Sequence, residues 1–233
     1  MSGVAMREPG DLSGGITRDV LERDGIRDAF AHRHPNVALN SDADMRRSIT
    51  DTLAQRAAAG DDRIWLFGYG SLLWNPCVAL AETRSALLYG FHRDFRLKLD
   101  YGRGSPDAPG LMLGLVPGGC CRGMALQVTA HDLEHELLMV WRREMLTGVY
   151  RPRWVDVHTA AGPVAAITFV VNSSHRCHCR LEDGEVVRLL ATGRGLLGTS
   201  AAYLESTVDR LDAEGIDDKR LRALHDRVVA YKR

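Results

Sequence analysis

From Arg63 to Val171 the chain runs as short apolar or alternating segments, 63–68, 84–90, 93–99, 111–117, 121–128, 153–158 and 164–171, punctuated by glycine and proline. Segments of this length and period are strands. One stretch interrupts them. Thr129 to Met145 has helical spacing and opens with Thr129 and Asp132 in a capping-box pattern. After Val171 the strands stop, and three helical stretches follow at about 182–192, 199–213 and 218–231; Gly215 ends the middle one, and Asp217 or Asp218 opens the last. This order predicts an α+β fold with a mixed or antiparallel sheet curling into a small β-barrel with flanking helices. It does not fit the regular alternation of a doubly wound sheet.

Residues 1–60 have a different texture: they are charged, lack Trp and Tyr, and carry short helical patterns such as Met45, Ile49 and Leu53, with Ser41 as N-cap. We read them as a polar, partly ordered helical extension of a 61–233 domain. Asp11, Asp19, Glu22, Asp24 and Asp28 argue against an organellar presequence. With 233 residues, 45% of them hydrophobic, the chain can bury a substantial core. Thirty basic and thirty acidic residues cancel without forming a basic block, which disfavours nucleic acid and anionic membrane surfaces as partners. Five cysteines, no N-terminal apolar signal and no long apolar run point to a reducing cytoplasmic setting. Nothing in the sequence reports the oligomeric state.

Two features suggest chemistry. In Trp65-Leu66-Phe67-Gly68-Tyr69-Gly70-Ser71-Leu72 a strand runs into a glycine-rich turn, whose backbone N–H groups can approach a carboxylate, a phosphate or a developing oxyanion; an ordinary strand-ending turn reads the same way. On the 129–145 helix, Leu133, Leu137, Val140 and Trp141 form the inward stripe. Glu144 falls near its centre, while Glu134, Glu136, Arg142 and Arg143 point elsewhere. A carboxylate there has its charged form disfavoured and becomes a candidate general acid–base; the alternative is a structural ion pair with Arg151 or Arg153. The Gly- and Pro-rich connection Asp100–Leu115 carries Arg103 and suits the wall of a ligand site or a plain surface loop.

Other patterns weigh less. Gly193–Gly198 matches G-x-G-x-x-G, but the residues before it fit a helix at least as well as a strand, and no second parallel strand follows. His175–Cys179 offers two His and two Cys with no distant partner pair, so we expect no metal there and no cofactor elsewhere. Cys120-Cys121 reads as a turn and a buried thiol. Ser71 has no neighbouring histidine and sits in no nucleophile elbow.

Together, FGYGSLLWNP (67–76), GFHRDFRL (90–97), RGSPDAPGLMLGL (103–115), RREM with VYRP (142–152) and AAYLESTVDRLDAEGIDD (201–218) resemble the ChaC-type γ-glutamylcyclotransferase family across about residues 63–231. The resemblance implies a small barrel with flanking helices and a substrate loop over Leu66, Phe67, Gly68, Tyr69, Gly70, Ser71 and Leu72. It also implies a catalytic glutamate at Glu144, a role for Tyr203, and glutathione as the small-molecule substrate, cleaved to 5-oxoproline and Cys-Gly. Thr199-Ser200 stand where the family has Pro-Asn. On this reading Tyr69 and Tyr203 offer hydroxyls, and Arg103 offers a guanidinium to a distal carboxylate. The rivals are a non-catalytic γ-glutamyl or amino-acid binding module and a cyclotransferase acting on other γ-glutamyl amines.

Overall fold

The computed structural model describes Leu12 and residues 15–56, 63–129 and 131–233; the boundary expected at residue 60 and the acidic Asp11 lie outside them. Among the described residues, five strands close into a barrel in the order β1-β3-β2-β4-β5: β1 Trp65–Gly68, β2 Leu80–Leu99, β3 Gly110–Val128, β4 Tyr150–Thr159 and β5 Gly162–Val171. β1 runs antiparallel to β3, and closure comes from its short parallel pairing with β5, Trp65 to Ala166 and Leu66 to Ile167. Closing the sheet on itself removes the open edges through which a small sheet could aggregate.

Four of the expected strands merge into two. Segments 84–90 and 93–99 are both parts of β2, and 111–117 and 121–128 are both parts of β3. At the apparent breaks the ladder shifts register between Tyr89 and Phe91. Gly90 (φ +82°) faces Gly118 (φ +103°) and Gly119 (φ +68°) there, so the glycines that read as stops instead form a bulge bending a continuous hairpin.

Helix α4, Leu133–Glu144, starts later than expected, with Asp132 as its N-cap residue and no side-chain cap hydrogen bond. It is buried from Glu136 to Trp141 because it lies between the barrel and an N-terminal group of three helices: α1 Arg18–Glu22, α2 Gly25–Arg33 and α3 Asp42–Ala54. The Trp141 ring meets Phe169 of β5 edge-on at 5.1 Å, and its indole N–H donates to Ser48 Oγ of α3 at 3.0 Å. Ser41 caps α3 in a reciprocal box with Asp44, as expected.

Burial all round also corrects the outward placement of Glu136. Its carboxylate takes two hydrogen bonds from Arg18, at 2.9 and 2.6 Å, and one from the Ala79 N–H at 2.8 Å, which satisfies a charge the apolar surroundings would otherwise reject.

After β5, residues 175–179 run along β2 instead of forming a metal knuckle: Lys98 donates to the Cys177 carbonyl and Cys179 to that of Arg96, both at 2.9 Å. No cluster of three or more His, Cys, Asp or Glu suited to a metal occurs among the described residues. Helix α5, Asp183–Thr192, precedes G-x-G-x-x-G, which folds into a two-stranded ribbon, β6 Arg194–Gly195 and β7 Gly198–Thr199. Gly193 and Gly195 lie where any side chain would collide with the 102–110 backbone, so these glycines serve packing. Helix α6, Ser200–Ala213, is capped by Thr199, and α7, Lys219–Tyr231, by Asp218. No described helix is long and apolar enough to cross a membrane.

Gly123 of β3 faces the end of β1, where an added Cβ would collide with the Gly68 carbonyl oxygen and the Phe67 ring. Gly123→Ala should therefore cost about 1–3 kcal/mol of stability through overpacking. Denaturant midpoints compared at constant m-value check this, and an unchanged midpoint would refute it.

Candidate active site

The turn that follows β1 lies over the last turn of α4. β1 ends at Gly68, and a 3₁₀ turn, Ser71–Leu73, carries the chain away. The first N–H groups of such a turn have no intrahelical acceptor. Two buried groups hold the turn. Tyr69 donates its hydroxyl to the Phe169 carbonyl at 2.7 Å, and Arg93 Nη1 donates to the Tyr69 carbonyl at 2.9 Å while its Nε pairs with Asp218 at 3.2 Å. Gly70 is a close approach: a Cβ there would sit 2.9 Å from the Tyr203 hydroxyl of α6.

A cavity of about 200 Å³ opens beside this turn, and a small recess of about 10 Å³ leads from it toward Gly70; Ser71, Glu144, Tyr150 and Tyr203 line both. Glu144, the last residue of α4, keeps only 11% of its side chain exposed. Burial pushes its carboxyl above the ordinary 4.5, opposed by the charge and hydrogen bond of Arg143. The partner is therefore the preceding residue, Arg143 Nε to Glu144 Oε1 at 3.0 Å, and not Arg151 or Arg153. Arg143 does not point away from the site as its helical position suggests. It also donates to the Asn75 carbonyl, so one guanidinium holds both the carboxylate and the segment after the turn.

Burial, reinforced by the nearby Glu144 charge, raises the Tyr69 and Tyr203 phenols, so both remain neutral donors at physiological pH. Arg103 is half-buried, and burial lowers its pKa; its guanidinium stacks 5.4 Å from the Tyr203 ring centroid and has no acidic partner among the described residues. Ser200, one of the two residues departing from the family pattern, donates to the Arg103 carbonyl at 3.2 Å and accepts from the Leu111 N–H at 3.0 Å, fastening the base of that loop.

The structure thus brings together Gly70, Ser71, Arg103, Glu144 and Tyr203, with Tyr69 and Leu72 at the recess. Leu66 and Phe67 are wholly buried in β1 beneath the turn, outside the cavity lining, and Gly68 sits at the strand's end, where a Cβ would press on Leu72 and Leu126 at 3.3 Å. Sequence reasoning missed Tyr150, Trp74 and Asn75, and it missed Ile16, Ile26 and Phe30 from the N-terminal helices. Trp74 and Asn75 belong to the FGYGSLLWNP motif, so their signal is present in the sequence. The N-terminal residues carried no local signal.

A closed five-stranded barrel with a glycine-rich turn set over a buried helix-end glutamate defines a γ-glutamylcyclotransferase-like fold, and the family model described as ChaC-like protein matches residues 64–231, so the chain belongs to that family. In particular it is similar to the glutathione-specific gamma-glutamylcyclotransferase of Escherichia coli, with 36% identity over 94% of this chain and 93% of that one. That coverage takes in the N-terminal helices as well as the family span. It is also similar to the glutathione-specific gamma-glutamylcyclotransferase of Schizosaccharomyces pombe, 37% identical over 60% of this chain and 79% of the relative. The crystal structure of a yeast glutathione-specific γ-glutamylcyclotransferase shares the fold, with a TM-score of 0.67 at 18% identity, covering 74% of this chain and 98% of that one.

Because Glu144 is held above its ordinary 4.5, the folded state binds its proton more tightly than the unfolded chain does. Its favourable contribution is present below pH 4.5 and is lost as pH rises through the folded value. Glu144→Gln, which cannot ionise, should therefore gain stability relative to the parent between pH 4.5 and neutrality. Paired thermal melts across that range check this. A parent that gains on the variant as pH rises would mean that the Arg143 pair outweighs burial.

Proposed function

We propose that this chain is a glutathione-specific γ-glutamylcyclotransferase acting in the reducing cytoplasm, with Glu144 as its general acid–base. The observation that carries the reading is the placement of one buried carboxylate, partnered by a single arginine, in the cavity that runs beneath the Gly68–Leu72 turn. The similarity to named glutathione-specific enzymes supports the substrate, and five unpaired cysteines suit the compartment.

The reaction is an intramolecular aminolysis. The substrate's α-amine attacks its own γ-carbonyl carbon, the new C–N bond closes a five-membered ring, and the old amide C–N bond breaks, leaving 5-oxoproline and Cys-Gly. No water is consumed and no electrons are exchanged. The α-amine must shed a proton to attack, and the departing amine must gain one. A carboxylate with a raised pKa can take the first and return it to the second. The free N–H groups of the turn suit the γ-carbonyl oxygen as negative charge develops on it, while Tyr203 and the turn fold a flexible chain into the ring-closing pose. A purely binding module would need this carboxylate ionised to hold the α-ammonium of its ligand, whereas a raised pKa favours proton transfer.

Glu144→Gln should lower kcat by about 10² or more with the fold intact. The measurement is 5-oxoproline released from glutathione, alongside circular dichroism. Near-parental turnover would remove Glu144 from the mechanism.

Arg103, unpaired among the described residues, suits the glycine carboxylate of the tripeptide. Remote binding of this kind orients the reacting end, so its loss lowers catalysis as well as affinity. Parental protein should favour glutathione over γ-glutamyl-alanine, and Arg103→Ala should shrink that preference about tenfold or more while changing dipeptide turnover much less. Equal loss on both substrates would place Arg103 in the scaffold instead.

A further inference from the structure

One wall of the cavity comes from residues that precede the family span. Gly15, Ile16, Ile26 and Phe30 line it, and none brings a polar side chain. The wall is anchored rather than draped. The Ile16 carbonyl accepts from Asn75 Nδ2 at 2.7 Å and from the Cys77 thiol at 3.2 Å, tying it to the segment that leaves the catalytic turn. Arg142 of α4 donates to the carbonyls of Leu21 and Glu22 at 2.7 and 2.9 Å and pairs with Asp42 at 2.5 Å, while Arg18 grips Glu136. Phe30 is buried, edge-on to Tyr101 at 6.0 Å, and its ring tip lies 3.4 Å from where a Cβ on Gly102 would stand.

Gly102 immediately precedes Arg103, and Phe30 lines the same cavity as the guanidinium that takes the far carboxylate under the reading proposed above, on which this inference rests. With the γ-glutamyl head at Glu144 and the terminal carboxylate at Arg103, the middle residue of the substrate lies along Ile26 and Phe30. We infer that residues 15–30 are a specificity element that reads the side chain joined to the γ-glutamyl group, admitting a small uncharged side chain such as a free thiol and excluding S-substituted or charged ones. A thiol behaves as a small, weakly polar hydrophobe and is at ease against Ile and Phe. A charged group finds no partner among Ile16, Ile26 and Phe30, and a bulky one must displace packed side chains held by the arginine ties.

The test compares kcat/KM for glutathione and S-butylglutathione, read as 5-oxoproline, in the full-length parent and in Phe30→Ala, Phe30→Leu and Ile26→Ala. The parent should discriminate against S-butylglutathione. Phe30→Ala should raise the S-butyl to glutathione ratio about tenfold or more, with Phe30→Leu and Ile26→Ala shifting it less in the same direction. If Phe30→Ala does not fold by circular dichroism, the other two variants decide. Binding of S-butylglutathione to Glu144→Gln, with and without Ile26→Ala, measured by calorimetry, reads the wall without turnover and should tighten when Ile26 is shortened. A parent that accepts both substrates equally, or ratios and affinities that do not move in any folded variant, overturns the inference. A parent that releases 5-oxoproline from neither compound defeats the cyclotransferase reading, and the calorimetry then decides on the wall alone.

Discussion

Three consecutive side chains at the end of α4 hold the molecule together around its site. Arg142 reaches outward to the carbonyls of Leu21 and Glu22 and to Asp42, so it fixes the N-terminal helices. Arg143 reaches to the Asn75 carbonyl and fixes the segment that follows the glycine turn. Glu144 presents its carboxylate to the cavity between them. The two arginine ties anchor the N-terminal helices and the segment after the turn to one helix terminus, where cations are in any case favoured by the helix dipole. Loosening α4 would disturb the carboxylate, the turn and the apolar wall at once.

The same arrangement settles how a glutamate comes to stand in a hydrophobic interior. A buried carboxylate without partners would be neutral; one clamped by several donors would stay ionised and inert as a base. Glu136 and Glu144, on the same helix, illustrate the contrast. Glu136 has two hydrogen bonds from Arg18 and one from a backbone N–H, and its pKa is lowered. Glu144 has only Arg143 to offset its burial, and its pKa is raised. The number of donors that meet each carboxylate, not residue type, separates one held ionised from one whose proton is held more tightly.

Much of this was legible in the sequence, and the gaps have physical reasons. The 3.6-residue period singled out Glu144 because Leu137, Val140 and Trp141 mark the face toward the barrel. It missed Glu136 because α4 is buried on more than one side, and the covering helices are far away in sequence. It chose the wrong ion-pair partner because adjacent helical residues ordinarily diverge, whereas Arg143 is long enough to curl back at the helix end. Glycines at 90, 118 and 119 read as strand ends because a bulge and a turn make the same demand on φ. The apolar residues of the N-terminal helices, Ile16, Ile26 and Phe30, are too sparse among charges to announce a wall; only tertiary contact gives them that role.

The parallel closure of the barrel bears on how the site comes into being. β1 meets β5 at Trp65–Ala166 and Leu66–Ile167, and the Tyr69 hydroxyl that steadies the glycine turn bonds to Phe169, 100 residues downstream. Contacts at that sequence separation form only after the intervening loop entropy has been overcome, and they slow folding. On the ribosome, the turn emerges long before β5, so the Tyr69 hydroxyl must wait for its acceptor until that strand has been synthesised. The candidate active site is thus completed late, and a nascent chain stopped short of β5 has a complete glycine motif without the carbonyl that takes the Tyr69 hydroxyl.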